Sequence, residues 1–285
     1  MRYEAPETME AAVELLSTDD SAHVLAGGTD LLVQLRAEMI DPGLVVDVKQ
    51  IAQMRSVEQE NGVFRVGAAV SGAELGEHEA FKLVWPGVVE AFELIGSTQI
   101  QGRATLGGNL CNASPAADSV PAMIAAGAIV TIHGPDGQRD VPVEVVATGP
   151  GQTSLGKGEL VGSFLFPEQA PRTGDAYLRF IPRTEMDIAV VGVGICLSLD
   201  DAGICNAARV SFGAVAARAL VVKEAADALI GTPVDDAALA NLAEVASAAA
   251  KPIDDKRGTK EFRIQVTGVM ARRAAAIALA RAKSK

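Results

Sequence analysis

The chain has 285 residues, 49% hydrophobic and 21% charged, which is enough apolar material for a well-buried globular protein of one to three compact units and not for a disordered one. A formal net charge of −11 leaves no basic excess to meet nucleic acid or an anionic membrane, so small molecules and proteins remain as partners. Cys111, Cys196 and Cys205 are odd in number and lack C-x-x-C spacing, which argues against a disulfide framework, a zinc site or an iron–sulfur cluster held by this chain.

Free thiols of this kind suit the cytosol. No charged-then-apolar leader opens the sequence, and the longest apolar run, residues 188–199, is too short to span a bilayer. The expectation is a soluble, cytoplasmic protein with no membrane span.

Taken in order, residues 7–16 place Met9, Val13 and Leu16 at helical spacing, and a polar S-T-D-D-S turn precedes a strand at 23–26. Gly27-Gly28 follows, then a helix to about Met39, the Asp41-Pro42-Gly43 turn and a strand at 44–48, which together make a small βαβ lobe. Its first turn lacks G-x-G-x-x-G, so the usual dinucleotide fingerprint of a doubly wound sheet is absent.

A hairpin at 57–68, turning at Asn61-Gly62, opens a larger α+β lobe with helices at 74–81 and 86–95. After a glycine-rich loop come a helix near 121–126, a strand at 129–133, a Gly134-Pro135-Asp136-Gly137 turn and a returning strand. A polar linker at 148–158 leads to the strand 160–166. The remainder reads as strands at 176–181, 189–199 and 206–212, then alanine-rich helices at 219–230, 235–250 and 258–282. The expected fold class is therefore α+β, ending in a three-stranded sheet with a helical bundle.

Two stretches carry the chemistry. Residues 24–31, V-L-A-G-G-T-D-L, place Gly27 and Gly28 between an apolar run and a helix start, where consecutive amides would form an anion-binding nest. Residues 105–118, T-L-G-G-N-L-C-N-A-S-P-A-A-D, put five short polar side chains, Thr105, Asn109, Asn112, Ser114 and Asp118, around a second glycine pair. Either pair alone reads more readily as an ordinary turn; two could clasp a pyrophosphate from both sides.

With these segments the chain resembles the FAD-binding medium subunits of molybdenum hydroxylases, the family that includes the carbon monoxide dehydrogenase medium subunit and the xanthine dehydrogenase flavin domain. The resemblance implies FAD, with its pyrophosphate held by Ala26, Gly27, Gly28, Thr29 and Asp30 on one side and Thr105, Leu106, Gly107, Gly108 and Asn109 on the other. It implies an FAD-binding domain over 1–172, in lobes of about 1–55 and 56–172, and a C-terminal α+β domain over 173–285.

The resemblance also places Asp118, nine residues after Asn109, on the cofactor, where it would accept from sugar or ribityl hydroxyls. Its alternative role is an N-cap for the helix starting near Ser119. Arg179 falls where the family has a basic cofactor contact, and a cation there would favour the anionic reduced flavin; it reads equally as an exposed strand residue with a carboxylate neighbour. Val161 falls at an apolar position near the ring, or is ordinary core.

Residues 179–189, R-F-I-P-R-T-E-M-D-I-A, resemble the family's R-R-E-D-D-I-A segment through Arg183, Glu185, Asp187, Ile188 and Ala189, with Thr184 and Met186 departing from it. Ile95 stands where the family has an aromatic against the adenine, leaving only apolar packing. Ser211 to Ala216, S-F-G-A-V-A, and R-G-T-K-E-F-R from Arg257 extend the likeness, with Arg257, Lys260, Arg263, Arg272 and Arg273 read as subunit-contact or solvated helix-face residues. His23, His78 and His133 have no nucleophile signature near them, and Cys111 reads as a packed thiol.

The resemblance further implies partners: a large molybdopterin-binding subunit and a small [2Fe-2S] subunit, with NAD, a quinone or oxygen as acceptor. A stand-alone flavin oxidoreductase of the covalent-flavin oxidase type and a scaffold without cofactor are the two alternatives.

Overall fold

A computed structural model of the chain describes residues 1–184 and 186–285. Glu185, one of the residues in the third resembling segment, lies outside the described residues.

The N-terminal lobe is a parallel three-stranded sheet in the order β1 (Arg2–Glu4), β3 (Leu44–Asp47), β2 (His23–Leu25). Helix α1 (Met9–Thr18) buries Met9, Ala12 and Leu16 and is capped by Thr8, whose hydroxyl accepts from the Ala11 amide. Helix α2 (Leu31–Arg36) is shorter than its apolar run suggests, and Glu38 has φ +53° just beyond its end. Strand β3 is buried at every position, as a central parallel strand must be.

The second lobe is an antiparallel sheet in the order β4 (Val57–Glu60), β5 (Val63–Gly67), β10 (Leu160–Phe166), β6 (Ile129–Gly134), β7 (Gly137–Pro142). Asn61 and Gly62 both take positive φ, +51° and +80°, the two-residue hairpin geometry that matches strand twist. The single helix read at 74–81 is two helices, α3 (Gly72–Gly76), closed by a Ser71/Glu74 capping box, and α4 (Glu79–Val84), capped by the His78 ring. Helix α5 (Pro86–Glu93) starts on a proline. Phe64, Phe81 and Phe166 stack edge to face at 5.3 and 5.0 Å beneath this layer.

Between α5 and β6 lie α6 (Thr98–Gln101), α7 (Leu106–Cys111) and α8 (Ser119–Ala125), so the stretch read as a glycine-rich loop contains a helix. The polar linker likewise holds a small hairpin, β8 (Ala147–Gly149) and β9 (Gln152–Thr153).

The three strands expected last are present as β11 (Thr173–Phe180), β12 (Val191–Leu199) and β13 (Cys205–Gly213). A two-residue edge strand, β14 (Leu220–Val221), extends the sheet where helix was expected, leaving α9 at Lys223–Asp227. Valine and leucine in succession explain the difference: once paired to β13 they favour the pleated surface. Helices α10 (Asp236–Ala249) and α11 (Lys260–Ser284) cover one face. Ala271, Ala274, Ala275, Ala278 and Ala282 let α11 lie so close that a Cβ on Gly174 would overlap the Ala278 carbonyl.

The C-terminal sheet abuts the second lobe through α8 and α5. Asp175 on β11 accepts from the Gly87 amide at 2.8 Å, and Arg281 near the end of α11 pairs with Glu90 on α5 while donating to the Asp175 carbonyl at 2.7 Å. A Cβ on Gly194 of β12 would sit 2.7 Å from the Pro121 backbone carbon of α8. Gly194→Ala should therefore push α8 off the sheet and lower stability by about 1–3 kcal/mol, read as a reduced denaturation midpoint with an unchanged far-ultraviolet spectrum.

Candidate functional site: a cleft between two glycine turns

The first turn leaves β2 at Ala26 and enters α2 after Asp30. Gly28 has φ +79°, a left-handed conformation that glycine adopts without strain. A Cβ on Gly27 would overlap the Arg103 carbonyl, so only glycine lets this turn lie directly on the residues preceding the second one. From behind, Lys49 Nζ donates to the Ala26 carbonyl at 3.0 Å and to Asp47 at 2.7 Å, and the Tyr3 hydroxyl donates to the other Asp47 oxygen at 2.6 Å. Burial works to raise the Asp47 carboxyl, but the hydrogen bonds from Lys49 and Tyr3 outweigh it and hold it below the ordinary value.

The second turn is built differently. Thr105 caps α7, its hydroxyl accepting from the Gly108 amide at 2.9 Å, while the Gly107 amide donates to the Ala68 carbonyl at 3.2 Å. The amides of Gly27, Gly28, Thr29 and Asp30 have no hydrogen-bond partner among the described residues. The two turns are therefore not equivalent: the first presents four successive free main-chain donors, whereas the second spends its Gly107, Gly108 and Asn109 amides internally and presents mainly polar side chains. The cause is local, since a threonine at N-cap consumes the donor that the glycine behind it would otherwise offer.

The two turns are tied at their far ends. Asn112 Nδ2 donates to Asp30 at 3.2 Å, and Gln34 reaches Asn112 at 3.5 Å. Asp30 is exposed at its outer edge, yet desolvation against the cleft wall raises its pKa. Between the turns lies a cleft of about 320 Å³ lined by Ala26, Gly27, Gly28, Thr29, Asp30, Thr105, Gly107, Gly108, Asn109 and Val161. Ten of the thirteen residues singled out from sequence therefore share one wall-to-wall space.

The other three do not line it. Leu106 is 1% exposed and packs into the core beneath α7. Asp118 and Arg179 meet each other at the seam of the two sheets: Arg179 Nη1 donates to Asp118 Oδ2 at 2.9 Å, and Tyr177 donates to Oδ1 at 2.8 Å. The N-cap role of Asp118 is overturned, because its carboxylate makes no capping bond. Asn109 Oδ1 takes that place, accepting from the Ser119 hydroxyl and amide at 2.7 and 3.3 Å. The exposed-strand role of Arg179 falls likewise, since its side chain is 4% exposed, although the carboxylate neighbour is there.

Burial pushes the Asp118 carboxyl up to about 6, against the opposing pull of Arg179 and the Tyr177 bond, and pushes Tyr177 well above the ordinary phenol. Next to this pair, Asp187 accepts from Arg183 at 3.1 Å and from Arg257 at 3.0 Å, which hold it well below the usual carboxylate range. Arg257 and Arg263, read from sequence as subunit contacts or helix face, are thus internal partners, Arg263 being 3% exposed and donating to Asp255 and the Val190 carbonyl; Lys260, Arg272 and Arg273 are exposed on α11. Cys111 lines the cleft as a half-buried thiol raised to about 12 by burial, in line with a packed role.

Sequence reasoning passed over Lys49, Tyr3 and Tyr177, and weighed His23 only for catalysis, although it lines the cleft. Only the D-V-K run at the end of β3 hinted at any of them. Ile95 lines the cleft as expected of an apolar wall.

Residues 1–169 match the family described as the FAD binding domain in molybdopterin dehydrogenase, and residues 176–278 the CO dehydrogenase flavoprotein C-terminal domain. The chain is 31% identical over 285 residues to the xanthine dehydrogenase FAD-binding subunit of Escherichia coli O157:H7, covering 99% of this chain and 97% of that one. It is 31% identical over 284 residues to the carbon monoxide dehydrogenase medium chain of Afipia carboxidovorans, covering 99% and 98%. The solved structure of reconstituted CO dehydrogenase from Oligotropha carboxidovorans superposes with a TM-score of 0.94 at 30% identity, covering 99% of this chain and 98% of that one.

The chain belongs to the FAD-binding flavoprotein family of molybdopterin dehydrogenases. It is an oxidoreductase component, the FAD subunit of a molybdenum hydroxylase family complex, and its cofactor is FAD. The cleft fits that group on its own evidence: unpartnered amides at one turn, glycines that leave no side chain in the way, and hydroxyl and amide groups opposite are the donor set a diphosphate requires. No helix among the described residues is long and apolar enough to cross a membrane.

One pH dependence follows from the seam. The folded-state pKa of Asp118 is raised above its ordinary 3.8 to about 6, so the native state holds its proton more tightly than the unfolded chain. The resulting stability is full below pH 3.8 and is lost as pH rises through about 6. Asp118→Asn should remove this component, giving a flatter unfolding free energy between those limits in denaturant titrations run as a pH series.

Proposed function

We propose that this chain receives electrons from a small [2Fe-2S] subunit, which draws them from a large molybdopterin-binding subunit, and passes them to an external acceptor such as NAD, a quinone or oxygen. It would do so in the cytoplasm, with an FAD-binding domain over 1–172 and a C-terminal domain over 173–285. Bound FAD supplies the redox chemistry; the protein supplies position and charge.

In this reading the amides of residues 27–30, with Ala26 as their hinge, hold one side of the pyrophosphate. Thr105, Gly107, Gly108 and Asn109 hold the other, and Leu106 anchors their helix in the core. Amide and hydroxyl donors bring no oxyanion against the phosphates. Val161 supports the ring as an apolar wall.

Arg179 places a cation at the seam, and Asp118 fixes it there. Each Asp118 oxygen accepts one bond within the protein and keeps a further acceptor direction, so the carboxylate, which lies outside the cleft, would take a sugar or ribityl hydroxyl only where the cofactor extends past the cleft to the seam. No side chain is asked to act as acid or base at a substrate carbon.

The observation that carries this reading is the run of unpartnered amides at 27–30 facing the second turn across one cleft. The purified protein should show the absorbance bands of an oxidised flavin. Gly108→Asp should weaken FAD binding by at least about tenfold, about 1.4 kcal/mol. Gly108 is exposed, and a Cβ there would meet only the Thr105 hydroxyl at 3.1 Å, so the fold should tolerate the change while a carboxylate enters the diphosphate site. A colourless protein that takes up no FAD, or a variant that binds as tightly as the parent, would contradict it.

A further inference from the structure

The first glycine turn is held from behind by a cation that lines no part of the cleft. Lys49 Nζ donates to the Ala26 carbonyl at 3.0 Å and to Asp47 Oδ1 at 2.7 Å. Asp47 is 6% exposed and is itself fixed three more times: the Tyr3 hydroxyl donates to Oδ2 at 2.6 Å, and the Lys49 amide donates to Oδ1 at 3.0 Å, closing the turn Val48–Gln50. The fourth tie is to the sheet, since Asp47 ends β3 and pairs with Leu25, the last residue of β2 before the turn. Tyr3, Asp47 and Lys49 thus form one rigid chain from β1 to the Ala26 carbonyl.

The peptide between Ala26 and Gly27 is trans, and in a trans peptide the C=O and N–H bonds point in opposite directions. An ammonium that holds the Ala26 oxygen behind the turn therefore aims the Gly27 N–H away from itself. That amide has no partner among the described residues, and Ala26 and Gly27 both line the cleft. Withdrawing electron density from the carbonyl also makes the N–H of the same peptide a better donor.

We infer that Lys49 is a positioning residue for the diphosphate, acting through the Ala26–Gly27 peptide: it fixes and polarises the Gly27 N–H as a donor, while Asp47 balances its charge and holds it in place. The inference rests on the diphosphate lying at this turn. Hydroxyl and amide groups of the second turn can adjust by rotation, but the first turn gives main-chain donors whose direction follows the backbone, and for the Ala26–Gly27 peptide Lys49 is the group that holds the carbonyl.

The test uses the full-length protein, with FAD affinity read by flavin fluorescence and ADP, which carries a diphosphate without a flavin, read by competition. Lys49→Met should weaken both by about tenfold to a hundredfold, the scale of a lost hydrogen bond to a charged group, and Lys49→Arg should recover most of the loss. Wild-type affinity in Lys49→Met, or a Lys49→Arg as weak as Lys49→Met, would overturn the role. Should Lys49→Met show no cooperative melt, Tyr3→Phe carries the test, since it removes only the hydroxyl bracing Asp47: a few-fold loss supports the inference and none overturns it. Gly108→Asp measured alongside separates the two levels. If it binds FAD as the parent does, the diphosphate reading fails, whereas a weakened Gly108→Asp beside an unaffected Lys49→Met removes Lys49 alone.

Discussion

Gly27 lies on the Arg103 carbonyl with no room for a side chain, and the site depends on this contact. It brings a turn of the N-terminal lobe onto the residues leading into Thr105, although 76 positions separate Gly27 from Arg103 in sequence. With the turns in register, amides and hydroxyls from two lobes converge on a single space. Any Cβ at Gly27 would meet the Arg103 backbone and separate the lobes. Asn112 and Gln34 fasten the same two lobes at the cleft's other end, so the opening between them is fixed at both edges.

Charge in this molecule is used mainly to hold elements together. Lys49, Arg179, Arg257, Arg263 and Arg281 are all bonded inward, to Asp47, Asp118, Asp187, Asp255 and Glu90. Two of these pairs join different units: Arg281 ties α11 to α5, and Arg179 ties β11 to the start of α8. Because Asn109 caps α8 from within the cleft wall, the seam and the glycine turns are linked through a few bonds. That continuity gives a physical route by which the C-terminal sheet can influence how the cofactor is held.

Much of this was legible from sequence, because the informative signals were local. Paired glycines before a helix start, Asn61-Gly62 between alternating runs, and alanine-rich segments at helical spacing each dictate a backbone state without help from distant residues. What was not legible depended on partners far along the chain. Val221 pairs as a strand only because β13 lies beside it, and Thr105 spends the Gly108 amide only because the stretch folds into a helix and not an open loop. Asp118 was legible as a helix-start residue, yet its carboxylate follows Tyr177 and Arg179, about sixty positions away, and leaves the cap to Asn109. Lys49 was missed for the same reason, since the D-V-K run around it does not show that the Ala26 carbonyl, 23 positions earlier, lies within its reach.

The asymmetry of the two turns is the central claim, and amide hydrogen exchange with and without FAD tests it most directly. Saturating FAD should slow exchange strongly at residues 27–30, whose amides are free in the protein alone. It should change Gly107 and Gly108 much less, because those amides already donate to Ala68 and Thr105. Protection centred on residues 106–109, with 27–30 exchanging as fast as before, would contradict the account.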